Sequence, residues 1–150
     1  MAVAMRHGDP AEALLRLVDA ANAHDARELA ASFDCSPAAD TQRASGNHIE
    51  RLAEAFFIAF PDCHFEVQVM VRSGDIVMCE STMTGTHLGR PDAPVLGRHL
   101  DKLKPSGRRV SVHHMHLFRV HEGRIVEYRS VRDDLGMMRQ LGLLAKESPH

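Results

Sequence analysis

The segment VHHMHLFRVHEGRIVEY, residues 112–128, places His113, His114, His116 and His121 within ten positions of an otherwise apolar stretch. Imidazoles in that setting can bind a metal, move protons near neutral pH, or sit hydrogen-bonded in a core. Strand alternation decides which of them act together. Val110, Val112, His114, His116, Phe118 and Val120 share one face, the inner one, while Ser111, His113, Met115 and Arg119 share the other. His113 and His121 are thereby assigned to solvent. Only His114 and His116 converge, and zinc takes at least three protein ligands held at about 2 Å, so no metal and no cofactor is expected. An imidazole on the inner face of a curved sheet suits proton transfer, and His116 is the leading candidate. Across the following hairpin the even residues Val126, Tyr128 and Ser130 share that inner face, which puts Tyr128 or Ser130 opposite His116. Ser130 does not lie in a GxSxG elbow, and a covalent serine mechanism is disfavoured.

Three helices precede these strands. Each opens on a cap residue followed three positions later by glutamate: Asp9/Glu12, Asp25/Glu28 and Asn47/Glu50. Pro10 occupies the first helical position, and Leu14, Leu15, Val18 and Ala21 form one apolar stripe. Ile49, Leu52, Ala53, Phe56, Phe57 and Phe60 make a wide apolar face on the third helix, which Pro61 stops. The period then changes to two. Phe65, Val67, Val69 and Val71 alternate with His64, Glu66, Gln68 and Met70 up to a turn at Ser73-Gly74, and a return strand runs from Ile76 to about His87. Residues 89–107 read as a long connection, residues 108–121 and 124–131 as a second hairpin closed by Glu122-Gly123, and Asp133 or Asp134 as the cap of a short last helix carrying Leu135, Met138 and Leu141. Helices first and strands later imply an α+β fold, its antiparallel sheet curling around the third helix.

At 150 residues and 44% hydrophobic content the chain fits one domain, residues 1–150, with a real core. A formal net charge of −2 and scattered basic residues argue against a nucleic-acid partner. Cys35, Cys63 and Cys79 are odd in number and form no CxxC pair, as reduced thiols of a cytoplasmic protein do. The start shows no apolar leader and AFFIAF is too short to span a bilayer, so neither secretion nor membrane insertion is expected.

The segments FPDCHFEVQVMVRSGDIV (60–77), TGTHLG (84–89), PSGRRV (105–110), HLFRVHEGRIVEY (116–128) and DLGMMRQLG (134–142) resemble the SnoaL-like polyketide cyclases, within the group that shares the nuclear-transport-factor-2 fold. The resemblance implies an NTF2-like cone: three N-terminal helices packed in a curved antiparallel sheet that encloses an apolar pocket, a homodimer, and no cofactor. It implies intramolecular aldol closure of a small apolar, polyketide-like substrate by a histidine and an aspartate on adjacent strands. His116 matches that histidine. The aspartate's position is occupied by Ser130, and Asp133 matches a recurrent family aspartate that doubles as a helix cap. His116, Ser130 and Asp133 are therefore the catalytic candidates, and His114, Tyr128, His87, Phe56, Phe57 and Met83 the ligand contacts, with His87 at the pocket mouth. The carboxylate's replacement keeps two other readings open, a related hydroxylase, epoxide-opening enzyme or isomerase, and a non-catalytic module that binds a small ligand. A homodimer would form on the outer sheet face, where Met115 and Leu117 are apolar.

Overall fold

In a computed structural model that describes residues 8–34, 46–93 and 103–144, the Asp9 carboxylate caps α1 (Pro10–Asn22) by accepting the Ala11 N–H at 2.9 Å. Asp25 caps α2 (Ala26–Ala31) in the same way, through Glu28 N–H at 2.9 Å. The third helix, α3 (Gly46–Ala59), takes in Asn47, so this residue lies inside the first turn instead of capping it. Leu14 and Ala21 are buried along α1, but Leu15 points to solvent and Ala13 takes its place, because the helix packs on the sheet with its buried stripe rotated toward Ala13, Leu17 and Ala20.

Four strands then form one antiparallel meander in sequence order: β1 (His64–Ser73), β2 (Ile76–Thr86), β3 (Arg109–His121) and β4 (Arg124–Arg132). The first hairpin turns at Gly74-Asp75, one residue later than expected, with Gly74 at φ 59°. Glu122 and Gly123 close the second with φ of 49° and 77°, the mirror-image turn that matches strand twist. Asp133, accepting Gly136 N–H at 2.8 Å, caps α4 (Asp134–Gln140), on which Met137, not Leu135, is the buried residue.

Two bulges correct the face assignments read from simple alternation. Between Val67 and Val69 the β1–β2 register slips by one, so Phe65 and Val67 oppose Met83 and Ser81 on the inner face, whereas Val69 and Val71 oppose Glu80 and Met78 on the outer one. Both valines are exposed as a result. Between Arg119 and Val120 a second slip pairs Val120 with Ile125, so that fully buried Ile125, and not Val126, supplies the inner residue of β4.

The inner face carries two separate hydrophobic clusters. Ala55, Ala59 and Phe60 at the end of α3 pack with Cys63, Met83, Val110, Val112, Met137 and Leu141. Ala13 and Leu14 of α1 pack with Val77, Cys79, Phe118, Val120 and Ile125. The sheet thus holds two helices, α1 over one half and the end of α3 over the other, and does not wrap α3 alone. Gly85 makes room for this: a Cβ there would lie 3.2 Å from that of Phe60. Cys63 and Cys79 are buried free thiols, raised by burial to about 12 and about 11, and Cys35 lies outside the described residues.

Candidate functional site

The two clusters leave a polar seam between them. Along β3 the inner residues run Val110 and Val112, then His114 and His116, then Phe118 and Val120; along β2 they run Met83, then Ser81, then Cys79 and Val77. Two imidazoles and one hydroxyl therefore stand where the apolar faces meet.

His116 is engaged at both ring nitrogens, with Ser81 Oγ 3.0 Å from Nε2 and the Tyr128 hydroxyl 3.2 Å from Nδ1. Its strand partner is Ser130, one of the two residues the face count offers, and Ser130 also hydrogen-bonds the Tyr128 phenol. The rings of His116 and Tyr128 stack with Phe118 at centroid separations of 5.7 and 5.1 Å, and Phe33 meets Tyr128 edge-on at 6.1 Å. His114 lies 5.2 Å from His116 and is 8% exposed, and its Nε2 is buried with no partner among the described residues. Arg132, opposite His114, forms an ion pair with Asp134.

Burial holds His114 at about 4, with His116 and Arg132 adding to the shift, and burial followed by Arg132 holds His116 at about 4. Both rings are neutral at pH 7. Burial raises Tyr128, although hydrogen bonding with Ser130 opposes this, so the phenol keeps its hydrogen. Tyr128 nonetheless remains 42% exposed, so the network reaches the surface of the site through this ring.

These shifts make acid sensitivity a test of the site. In the unfolded chain both histidines return to their ordinary 6.5. With the folded values depressed, the unfolded state takes up protons first, so their contribution is complete above pH 6.5 and lost as pH falls toward 4. The melting temperature should be level above pH 7 and drop by roughly 5 °C or more between pH 6.5 and 4. Asp9, Asp62 and Glu127, held below the usual carboxylate range by Arg72, Thr86 and Arg119, add to the loss only from about pH 5 downward, so the fall between pH 6.5 and 5 belongs to the histidines. A level melting temperature down to pH 4 would mean that the seam is hydrated.

The remaining candidates are distributed around this seam. His87 is fully buried beyond the end of β2 and not at an open mouth; Ser106 Oγ lies 3.1 Å from its Nδ1, and its ring lies 5.7 Å from Phe60. Met83 is fully buried in the α3 cluster, and Phe56 and Phe57 pack against that cluster. Phe65 meets His114 edge-on at 6.2 Å and Phe56 at 6.0 Å, connecting the α3 rings to the seam. The Asp133 carboxylate is exposed and committed to the α4 cap. A groove of about 540 Å³ between α1, α2 and the β3–β4 turn is lined by Glu12, Arg16, Glu28, Glu122 and Arg124, and contains none of the candidates. Two residues of the seam were missed in the sequence. Ser81 was available from parity along β2, since it falls on the same face as Val77, Cys79 and Met83, and Arg132 continues the inner row of Tyr128 and Ser130.

Residues 11–141 match the SnoaL-like polyketide cyclases. The chain belongs to this family. Several solved structures share its fold. AclR from Streptomyces galilaeus, proposed to be a hydroxylase, is 27% identical with a TM-score of 0.73, over 92% of this chain and 87% of AclR. IdmH from Streptomyces antibioticus, proposed to be a polyketide cyclase, is 25% identical with a TM-score of 0.67, over 89% of this chain and 99% of IdmH. TsrD from Streptomyces laurentii, at 24% identity and a TM-score of 0.70, covers 89% of this chain and 95% of its own. No match was found among curated protein sequences. Among the described residues no helix is long and apolar enough to cross a membrane.

Proposed function

We propose that this SnoaL-like protein closes a carbon–carbon bond between two carbonyl-bearing segments of one polyketide-type substrate, with His116 and Tyr128 handling the proton. The observation that carries this reading is the 3.2 Å contact between His116 Nδ1 and the Tyr128 hydroxyl, on an inner face where the imidazole is neutral and the phenol protonated. The pair takes up the acid/base work that the family gives to a histidine and an aspartate, since Ser130 cannot accept a proton as a carboxylate does. Aldol closure exchanges a C–H for an O–H as the C–C bond forms, is redox-neutral, and calls for no cofactor. The stacked rings of Phe118, Tyr128 and His116 offer a flat wall to a flat substrate.

The test is incubation with a β-keto methyl ester of an anthraquinone, followed by mass spectrometry. A ring-closed product of unchanged mass supports the reading, whereas a product one oxygen heavier would replace it with hydroxylation, the reading favoured by the likeness to AclR. Binding without any product would leave a ligand-binding module.

We also propose a homodimer through the outer sheet face, in a compartment that keeps Cys63 and Cys79 reduced, the cytoplasm. Val71, Met78 and Leu117 form one row across the strands, and Val69, Met115 and Val131 lie in the next; Val71 and Val131 are 61% and 74% exposed. Only Glu80, between Val69 and Met115, and Arg129, beside Leu117, interrupt these rows, and so many exposed apolar side chains on one face are unusual on a lone subunit. Light scattering at micromolar concentration should give a dimer, and the double change Val71→Asp and Met115→Asp a monomer. A monomeric wild type would overturn the proposal.

A further inference from the structure

We propose that Ser81 is a positioning residue that fixes the hydrogen of His116 on Nδ1 and so aims the hydroxyl hydrogen of Tyr128 out of the seam, toward the substrate. Ser81 is 3% exposed, and its hydroxyl has a single hydrogen-bonding partner among the described residues, His116 Nε2 at 3.0 Å. A buried hydroxyl hydrogen left without an acceptor is costly. Were Nε2 to carry the imidazole hydrogen, it would donate to Ser81 Oγ, and the serine's own hydrogen would have nowhere to go. Ser81 therefore donates to Nε2. A neutral imidazole carries one hydrogen, which then sits on Nδ1 and donates to the Tyr128 oxygen. That leaves the phenol hydrogen free for Ser130 or for a substrate oxygen, with the whole chain Ser81–His116–Tyr128 polarised in one direction.

The consequence for chemistry rests on the ring-closure reading, whereas the position of the hydrogen does not. In this arrangement neither nitrogen of His116 presents a free lone pair to the substrate, so the first act of the site is donation. Tyr128 gives its hydrogen to the oxygen of the acceptor carbonyl as the enol carbon of the substrate attacks the carbonyl carbon. The C–C bond forms, the enol C=C becomes a single bond and its oxygen a carbonyl, and the enol O–H hydrogen passes to the Tyr128 oxygen, which the Nδ1–H steadies throughout. Atoms and charge balance, and the tyrosine ends as it began. The nucleophilic carbon must then lie between two carbonyls, where the enol exists without a carboxylate base. This accounts for how the site could do without the aspartate.

The experiment is ¹⁵N–¹H correlation of the ring nitrogens in histidine-labelled protein at pH 7.5, with His116 assigned by difference from His116→Gln. Hydrogen on Nδ1 in the wild type, a mixture of the two forms in Ser81→Ala, and return to Nδ1 in Ser81→Thr are expected. Hydrogen on Nε2 in the wild type, or an unchanged spectrum in Ser81→Ala, overturns the proposal. With the β-keto ester, Ser81→Ala should lower kcat about 10-fold, the effect of one neutral hydrogen bond, and leave KM unchanged. A wild type without ring-closing activity would sink the cyclase reading alone, because the spectrum reports on Ser81 independently.

Discussion

Replacing His116 with alanine is expected to lower ring-closing turnover by roughly 100- to 10,000-fold, the range spanned by positioned acid/base groups. The substitution removes the Nδ1 contact to Tyr128 at 3.2 Å and the Nε2 contact to Ser81 at 3.0 Å, so the phenol loses its donor and the serine its acceptor. The Ser81 hydroxyl, left unpaired in the interior, would cost about 1–3 kcal/mol, so stability has to be measured beside activity. His116→Gln separates the two effects, since an amide can keep one polar contact and fill most of the volume without joining Ser81 to Tyr128 through both ring nitrogens. Both variants should fold, shown by unchanged far-UV circular dichroism, and both should lose turnover. Tyr128→Phe should approach the same loss while keeping the ring stack with Phe118. The pH profile supplies a further check: with His116 held at about 4, the wild-type rate should be level from pH 8 to about 5 and fall only as the ring takes up a proton. Native turnover unchanged in His116→Ala would remove this histidine from the chemistry and put the binding-module reading ahead.

Much of this arrangement was legible because strand parity is a local property. Val110 to Val120 alternate without interruption, so the pairing of His114 with His116 on one face follows from counting alone, whereas the register of His116, left between Tyr128 and Ser130, is settled on Ser130 by the slip after Arg119. Counting failed where the backbone inserted a residue. Val69 and Val71 alternate in step with Phe65 and Val67, yet the slip after Val67 turns both outward, and Val126 gave way to Ile125 for the same reason. Neither bulge is marked by glycine or proline, and each shows only in the pairing of one strand against its hairpin neighbour. The burial of His87 was hidden in a different way. TGTH ends a strand, and ends of strands are usually open, but Gly107 N–H donates to His87 O at 2.8 Å and His87 N–H to Arg108 O at 2.9 Å, which extends the ladder past β2 and closes the ring in. The division of the inner face into two clusters is likewise tertiary. α1 carries a clear apolar stripe, but nothing within it states which half of the sheet it covers.

Ser130→Asp is expected to raise ring-closing activity on the β-keto ester by roughly 10- to 100-fold, a fraction of the range open to a new acid/base group. Ser130 is the strand partner of His116 and hydrogen-bonds Tyr128, so a carboxylate there would face both members of the proposed pair. The position is exposed, and the added charge stays in contact with water, which limits the cost of placing it in the site. Two effects then oppose each other. The carboxylate favours imidazolium and lifts His116 from about 4 toward its ordinary 6.5, while Arg132, which now depresses both histidines, is drawn to the new charge and screens it. An opposite charge within about 4–6 Å shifts a titration by one unit or more, so the rise should remain measurable by proton NMR of the His116 ring. The sign carries over to stability. As the folded value approaches that of the unfolded chain, fewer protons are taken up on unfolding between pH 6.5 and 4, and the acid loss of melting temperature should shrink relative to wild type. A His116 titration that does not move would show that residue 130 does not face the imidazole. A titration that moves while activity does not would place the chemistry of this family member with the tyrosine alone, and leave the carboxylate of its relatives without a counterpart here.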